Sequence, residues 1–182
     1  MTLAASLWSA IQGEAWEDLR TPATAIPLQG QSGDPDADTD GTLLFDASTA
    51  EQISLIFQMP HGWLHGSGVR LHVHWGKSTD AAGGVVWEER HRTIANNAVP
   101  GAWSEFAAAT TRSQAVASNQ AVIIDGWAEI AMTGLKGSDM LHVQIRRNPA
   151  ATADTYAADV RLFDADLHYR AYGLGSEQEY PT

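Results

Sequence analysis

The stretch ISLIFQMPHGWLHGSGVRLHVHW, residues 53–75, decides the fold. Ile53, Leu55, Phe57 and Met59 alternate with the polar Gln52, Ser54 and Gln58, and Val69, Leu71, Val73 and Trp75 alternate with Arg70, His72 and His74. A period of two marks a strand with one buried face. Between the two runs lie Pro60-His61-Gly62 and Gly66-Ser67-Gly68, a connection rich in residues that break regular structure. The unit therefore reads as strand, turn, strand. Three of its features are chemically suggestive: the His72-x-His74 pair, the turn histidines His61 and His65, and the aromatic pair Trp63 and Trp75.

Outward from this unit, further strands are expected at nearly regular spacing. They are Thr42–Phe45, Val85–Ile94, Trp103–Thr110, Ala121–Met132, Met140–Arg147 and Tyr156–Tyr172. In Ala121–Met132 the residues Val122, Ile124, Ala128, Ile130 and Met132 share one face, with Gly126 permitting a bulge. In the last segment the apolar phase shifts between Val160-x-Leu162 and Leu167-x-Tyr169, which predicts a bulge or a bend between sheets. About eight short strands with little helix favour an all-β, antiparallel two-sheet sandwich, jelly-roll-like. An immunoglobulin-like sandwich and a barrel are the alternatives.

The N-terminal part has a different composition. Thr2–Ile11 suits a short helix with Leu3, Leu7, Trp8 and Ile11 on one side. From Trp16 to Asp40 the chain carries Pro22, Pro27 and Pro35, then Asp34, Asp36, Asp38 and Asp40, and reads as an extended arm and loop. The expected division is an arm and loop over 1–40, a β-sandwich domain over 41–173 and a polar tail over 174–182. The Asp34-x-Asp36-x-Asp38 spacing fits the start of a calcium loop, but the glycine and bidentate glutamate of an EF-hand do not follow it, so a solvated loop is expected.

Composition bounds the function. The 182 residues suffice for one domain with a real core. The formal net charge of −11, with Lys77 and Lys136 the only two lysines, argues against nucleic acid and anionic membrane surfaces as partners. Arg146-Arg147 is the one basic dipeptide that could form a local patch, and an exposed strand end is its plainer reading. There are no cysteines, so disulfides and thiolate metal sites are excluded. Met1–Ile11 makes a poor signal peptide, and no stretch approaches the ~20 apolar residues of a spanning helix.

His72-x-His74 is the strongest metal candidate, because residues two apart on a strand point the same way. His142 could supply a third ligand if its strand neighbours Val69–Trp75. The cupin family uses a related G-x5-H-x-H pattern, which Gly66, His72 and His74 match. However, Ser78 and Thr79 stand where its glutamate belongs, and its second motif is absent. The plainer expectation is a polar sheet face and no cofactor. No G-x-S-x-G elbow, Walker loop or dinucleotide fingerprint occurs. The adjacent Glu88 and Glu89 point to opposite faces of a strand, and nothing fixes their distance from Asp164-x-Asp166. Trp63, Trp103 and Trp127 are candidate surface contacts, for a protein partner or by stacking on a glycan; plugging the sandwich end is the alternative.

With these residues in view, the sequence resembles a group of tailed-bacteriophage virion proteins. In that group a strand ending Q-x-P-H is followed by an aromatic-containing turn, a glycine and a strand ending H-V-H-W. Here these are Gln58, Pro60, His61, Trp63, Gly66 or Gly68, and His72-Val73-His74-Trp75. Leu44-Phe45-Asp46 and Val85-Val86-Trp87-Glu88 fit the flanking strands, so the resemblance covers Gly41 to Ile94. The Gly-x-Gly spacing and the lack of a basic residue in the 60–66 turn depart from the commoner form. The resemblance implies a non-enzymatic structural component of the virion, a head decoration protein or a tail or fibre adaptor. Its partners would be other virion proteins and copies of itself, with a trimer expected from the group's habit. In that setting Leu7, Trp8, Trp16, Pro22 and Pro27 would belong to an assembly arm. A carbohydrate-binding or adhesin module and a cupin-like metal protein are the alternatives.

Overall fold

A computed structural model of the chain describes residues 15–30, 33–109 and 122–171. The helix expected over 2–11, with Leu7 and Trp8, and the tail over 174–182 fall outside these residues. The strands are β1 (Ala15–Pro22), β2 (Asp36–Ala37), β3 (Leu43–Phe45), β4 (Gln52–Gln58), β5 (Val69–Lys77), β6 (Trp87–Ile94), β7 (Ala107–Ala108), β8 (Ile123–Gly126), β9 (Met140–Arg147) and β10 (Val160–Ala171). One short 3-10 turn, Ala23–Ala25, follows β1. Among the described residues there is no α-helix, and no helix is long and apolar enough to cross a membrane.

The strands form two antiparallel sheets. One has the order β2-β3-β10-β5-β8, with β1 also paired to β10, and the other has the order β4-β9-β6-β7. The twelve-residue β10 is long enough to take β3 and β1 in succession along one side and β5 along the other. The pairings β3·β10, β4·β9, β5·β8 and β6·β7 are nested, so the chain from Leu43 to Ala171 doubles back on itself like one long rolled hairpin. The inward faces meet in one core, in which Trp87 of the second sheet lies edge-on to Phe45 and Trp75 of the first, at ring-centre distances of 4.9 and 6.2 Å. Edge-on packing suits the quadrupoles of aromatic rings.

Period two works as expected in β4, β5 and β9, where Ile53, Leu55, Phe57, Val69, Leu71, Val73, Leu141, Val143 and Ile145 are all buried. The connection between β4 and β5 is architecture. The Trp63 amide donates to the Pro60 carbonyl at 3.0 Å, closing the turn. His61 Nε2 lies 2.9 Å from Ser138 Oγ, and His65 Nε2 accepts the Gly137 amide at 3.1 Å. Both turn histidines are thus spent on docking this turn against the β8–β9 connection.

Three expectations are corrected. First, Trp16–Pro22 is an eight-residue strand together with Ala15, in register with β10 from Ala15↔Ala171 to Pro22↔Asp164, and Ala23 and Ile26 behind it belong to the core. The prolines do not prevent this: Pro22 closes the strand, where a missing amide does no harm. Second, the long strand over 121–132 is the short β8, and its phase is reversed there: Ile123 and Asp125 are buried, whereas Val122 and Ile124 are exposed; beyond it Ile130 and Met132 are buried as expected. The run Val122-Ile123-Ile124 is apolar on both faces, so periodicity could not choose. Third, the strand expected over 103–110 is reduced to Ala107–Ala108.

Candidate functional site

His72 and His74 leave the outer face of β5, opposite the core-facing Leu71, Val73 and Trp75. β10 runs beside them. Before its bulge between Leu162 and Asp164, Val160 and Leu162 point into the core; after it, Ala165 and Leu167 do. This one-residue slip throws Asp164, Asp166 and His168 onto the outer face. Asp166 then lies directly across from His72, and Asp164 across from His74. On the other side of β10, Asp18 of β1 lies across from His168.

The result is a cluster of three imidazoles about one carboxylate. Asp166 is only 3% exposed. Its Oδ2 is 3.4 Å from His74 Nε2 and 3.2 Å from His168 Nε2. Its Oδ1 is 3.9 Å from His72 Nδ1. Asp18 Oδ1 approaches His168 Nε2 at 3.1 Å. The rings of His72 and His168 are 4.2 Å apart, tilted by 55°. Burial, with His168 close by, pushes the His72 pKa down. His72 lies over Gly126 of β8, where any Cβ would meet the ring carbon Cδ2 at 2.3 Å, so a glycine is needed to leave room for the imidazole.

His142 is not part of this cluster. It stands on β9 in the other sheet, where Nε2 lies 2.7 Å from Ser54 Oγ and Nδ1 is 3.2 Å from both Nε and Nη2 of Arg92. An Nδ1 facing two guanidinium donors is an acceptor, so the ring is neutral with its proton on Nε2. Burial, then the Arg92 charge, holds the His142 pKa below its usual value of 6.5. The unfolded chain therefore takes up this proton more readily. The stabilisation is complete above about pH 6.5 and is lost as the pH falls toward the depressed folded value. Thermal melts between pH 7.5 and 5.5 are expected to show a decline that becomes shallower in His142→Gln, where the ionisable ring is gone; an unchanged slope would refute the assignment.

The candidate surface tryptophans are largely enclosed. Trp63 is 1% exposed and Trp127 5% exposed, both within the core. Trp127 Nε1 donates to the Ala107 carbonyl at 2.9 Å. A ring buried in this way has no face for a partner or a sugar, so Trp63 and Trp127 plug the sandwich. Trp103 is partly exposed, but Arg90 and Arg92 lie 5.0 and 4.6 Å from its ring centre and His142 packs edge-on at 4.6 Å. Arg146-Arg147 is no basic patch either. Arg146 pairs with Glu88 at 2.7 Å and stacks on Phe106, while Arg147 is wholly buried.

The other acids are also engaged in structure. Glu89 lies 3.1 Å from His91 Nδ1, and Asp164 accepts the Arg20 guanidinium at 2.9 Å. Asp38 Oδ1 accepts the Thr39 amide, and Asp40 accepts the Thr42 amide and hydroxyl, so both carboxylates hold their own turn. Among the described residues, one group of three or more side chains has the mutual spacing of metal ligands, namely His72, Asp166 and His168. Sequence reasoning found His72 and His74 but paired them with His142. The signal for Asp166 and His168 was the D-x-H pair directly after the phase shift, which needs the β5·β10 pairing to acquire meaning.

No protein-family model matches the sequence, and no curated protein matches it. Among solved structures, the chain is similar to a chain in the structure of the infectious bursal disease virus Gx strain, with 9% identity and a TM-score of 0.43 over 92% of this chain and 35% of that one. It is similar to a family two carbohydrate esterase from Cellvibrio japonicus, with 15% identity and a TM-score of 0.38 over 90% and 37% of the respective chains. It is also similar to dimeric latent PorU from Porphyromonas gingivalis, with 13% identity and a TM-score of 0.37 over 87% and 13%. The chain spans well under half the length of each of these proteins.

Proposed function

We propose that this protein is a non-enzymatic structural component of a tailed-phage particle, a capsid decoration protein or tail-associated adaptor acting by protein–protein assembly. The observation that supports this reading best is the use made of residues 58–75. Pro60 closes the turn, His61 docks it, Trp63 plugs the core, and Trp75 Nε1 donates to the buried Asp125 at 3.1 Å. Apart from His72 and His74, the residues that carry the virion resemblance are thus spent on architecture, as in a building block. The nested strand pairs β3·β10, β4·β9, β5·β8 and β6·β7 support a jelly-roll reading of the sandwich, a fold used by capsid proteins. The acidic surface limits adhesion to packaged DNA. Closed symmetry is the default for self-assembling proteins, and three copies is the number the resemblance implies.

Sedimentation of the purified chain is expected to give a discrete homo-oligomer, and cryo-EM of the particle to place the sandwich at symmetry-related positions on its surface. A chain that stays monomeric at high concentration and is absent from the purified particles would overturn the proposal.

A further inference from the structure

We propose that His72, Asp166 and His168 bind one divalent transition-metal ion, tying β5 and β10 together. The ligand atoms of the first three residues all lie within 4.8 Å of one another. One of the contacts does not make sense as a hydrogen bond. Asp166 Oδ1 and His72 Nδ1 are both buried, neither has a hydrogen-bond partner, and they face each other at 3.9 Å. That separation is too long for a hydrogen bond. Two donors on one ion at about 2.0–2.1 Å each stand on the order of 3–4 Å apart, so a shared cation satisfies both atoms at once. One further contact fits the same ion. His168 Nε2 lies 3.2 Å from Asp166 Oδ2, the spacing of neighbouring corners of a tetrahedron.

The surroundings are arranged to leave Asp166 for such an ion. Arg20 stands directly across from Asp166 in the β1·β10 register, yet its guanidinium turns to Asp164. The ion-pair partners of Asp166 among the described residues are all imidazoles, His72, His74 and His168. An imidazole-containing set of this size favours zinc, nickel, cobalt or copper over calcium or magnesium. His74, against Asp166 Oδ2, is a positioning residue that holds the carboxylate, and Gly126 makes room for the His72 ring. This inference is independent of the virion reading, since a staple between two strands serves any role of the sandwich.

The full chain, stripped with a chelator and returned to metal-free buffer, is titrated with zinc chloride by calorimetry and with cobalt chloride by visible absorption. The expected result is saturation at one ion per chain, a cobalt spectrum of mixed nitrogen and oxygen ligation, and a higher melting temperature with zinc. Asp166→Asn and His168→Asn are each expected to weaken zinc binding by about tenfold or more, His74→Gln by less, and His142→Gln not at all. Should Asp166→Asn fail to fold, the partly exposed His168 carries the same test. Calcium chloride is expected to give no saturable heat. Absence of saturable zinc binding, or binding unchanged in a folded His168→Asn, would overturn the proposal.

Discussion

Arg147→Met is expected to lower the free energy of unfolding by about 3–5 kcal/mol, the range for removing one member of a buried ion pair. The side chain is wholly buried. Its Nε and Nη2 donate to the two carboxylate oxygens of Asp154 at 3.0 and 2.8 Å, its Nη1 donates to the Phe45 and Ala158 carbonyls at 3.3 and 2.8 Å, and Nη2 also reaches the Tyr156 carbonyl. One guanidinium thus joins the end of β9, the loop before β10 and the end of β3, which belong to both sheets. The methionine fills much of the space but leaves the Asp154 carboxylate with only the Val86 amide and takes the guanidinium donors from three carbonyls, and each such loss is expensive. Arg147→Lys is expected to recover little, because a single ammonium cannot reproduce the planar fork. Chemical denaturation with the slope held constant checks both; a loss below about 1 kcal/mol in Arg147→Met would show that the pair is dispensable.

Deletion of residues 1–40 is expected to lower the melting temperature by roughly 10 °C or more, or to give insoluble chain. The cut removes β1, the Ala23–Ala25 turn and β2. It takes the buried Ala23 and Ile26 out of the core and strips Asp164 of its Arg20 partner. Burial of a side chain such as Ile26 alone contributes about 1.5–3 kcal/mol. The cut also exposes the far half of β10 as an unpaired edge, a template for aggregation. An intact melting transition at the original temperature would show that β1 adds nothing. The assembly role proposed for Leu7 and Trp8 is therefore best tested in a chain beginning at Ala15, which keeps β1.

The arm shows why part of the fold was hard to read. Trp16–Pro22 has no clean alternation, because its outer face carries Trp16, Asp18 and Arg20 and its inner face little more than Leu19. Trp16 itself is 44% exposed, flanked by Arg70 and Arg170 at 5.3 and 5.4 Å from its ring centre. A strand of this kind is held by backbone pairing to β10, and that pairing leaves no local mark in sequence. The same holds for β8, which pairs with β5 and turns Ile123 and Asp125 inward, Asp125 accepting the Trp75 indole across the sheet.

What the residues determine by themselves is local. Alternation sets the inward faces of β4, β5 and β9, breakers set the turn at 60–68, and the phase shift in β10 announces its bulge. These follow from sterics and burial acting on neighbours one or two positions apart. What only the tertiary structure decides is which strands lie side by side. The sequence places His72 and His74 on one face of β5, but β9 with His142 joins the other sheet, while β10 brings Asp166 and His168 alongside. Period two tells each side chain which way to point; its neighbour is chosen by long-range packing of two sheets around Phe45, Trp75 and Trp87, which no short window of sequence contains.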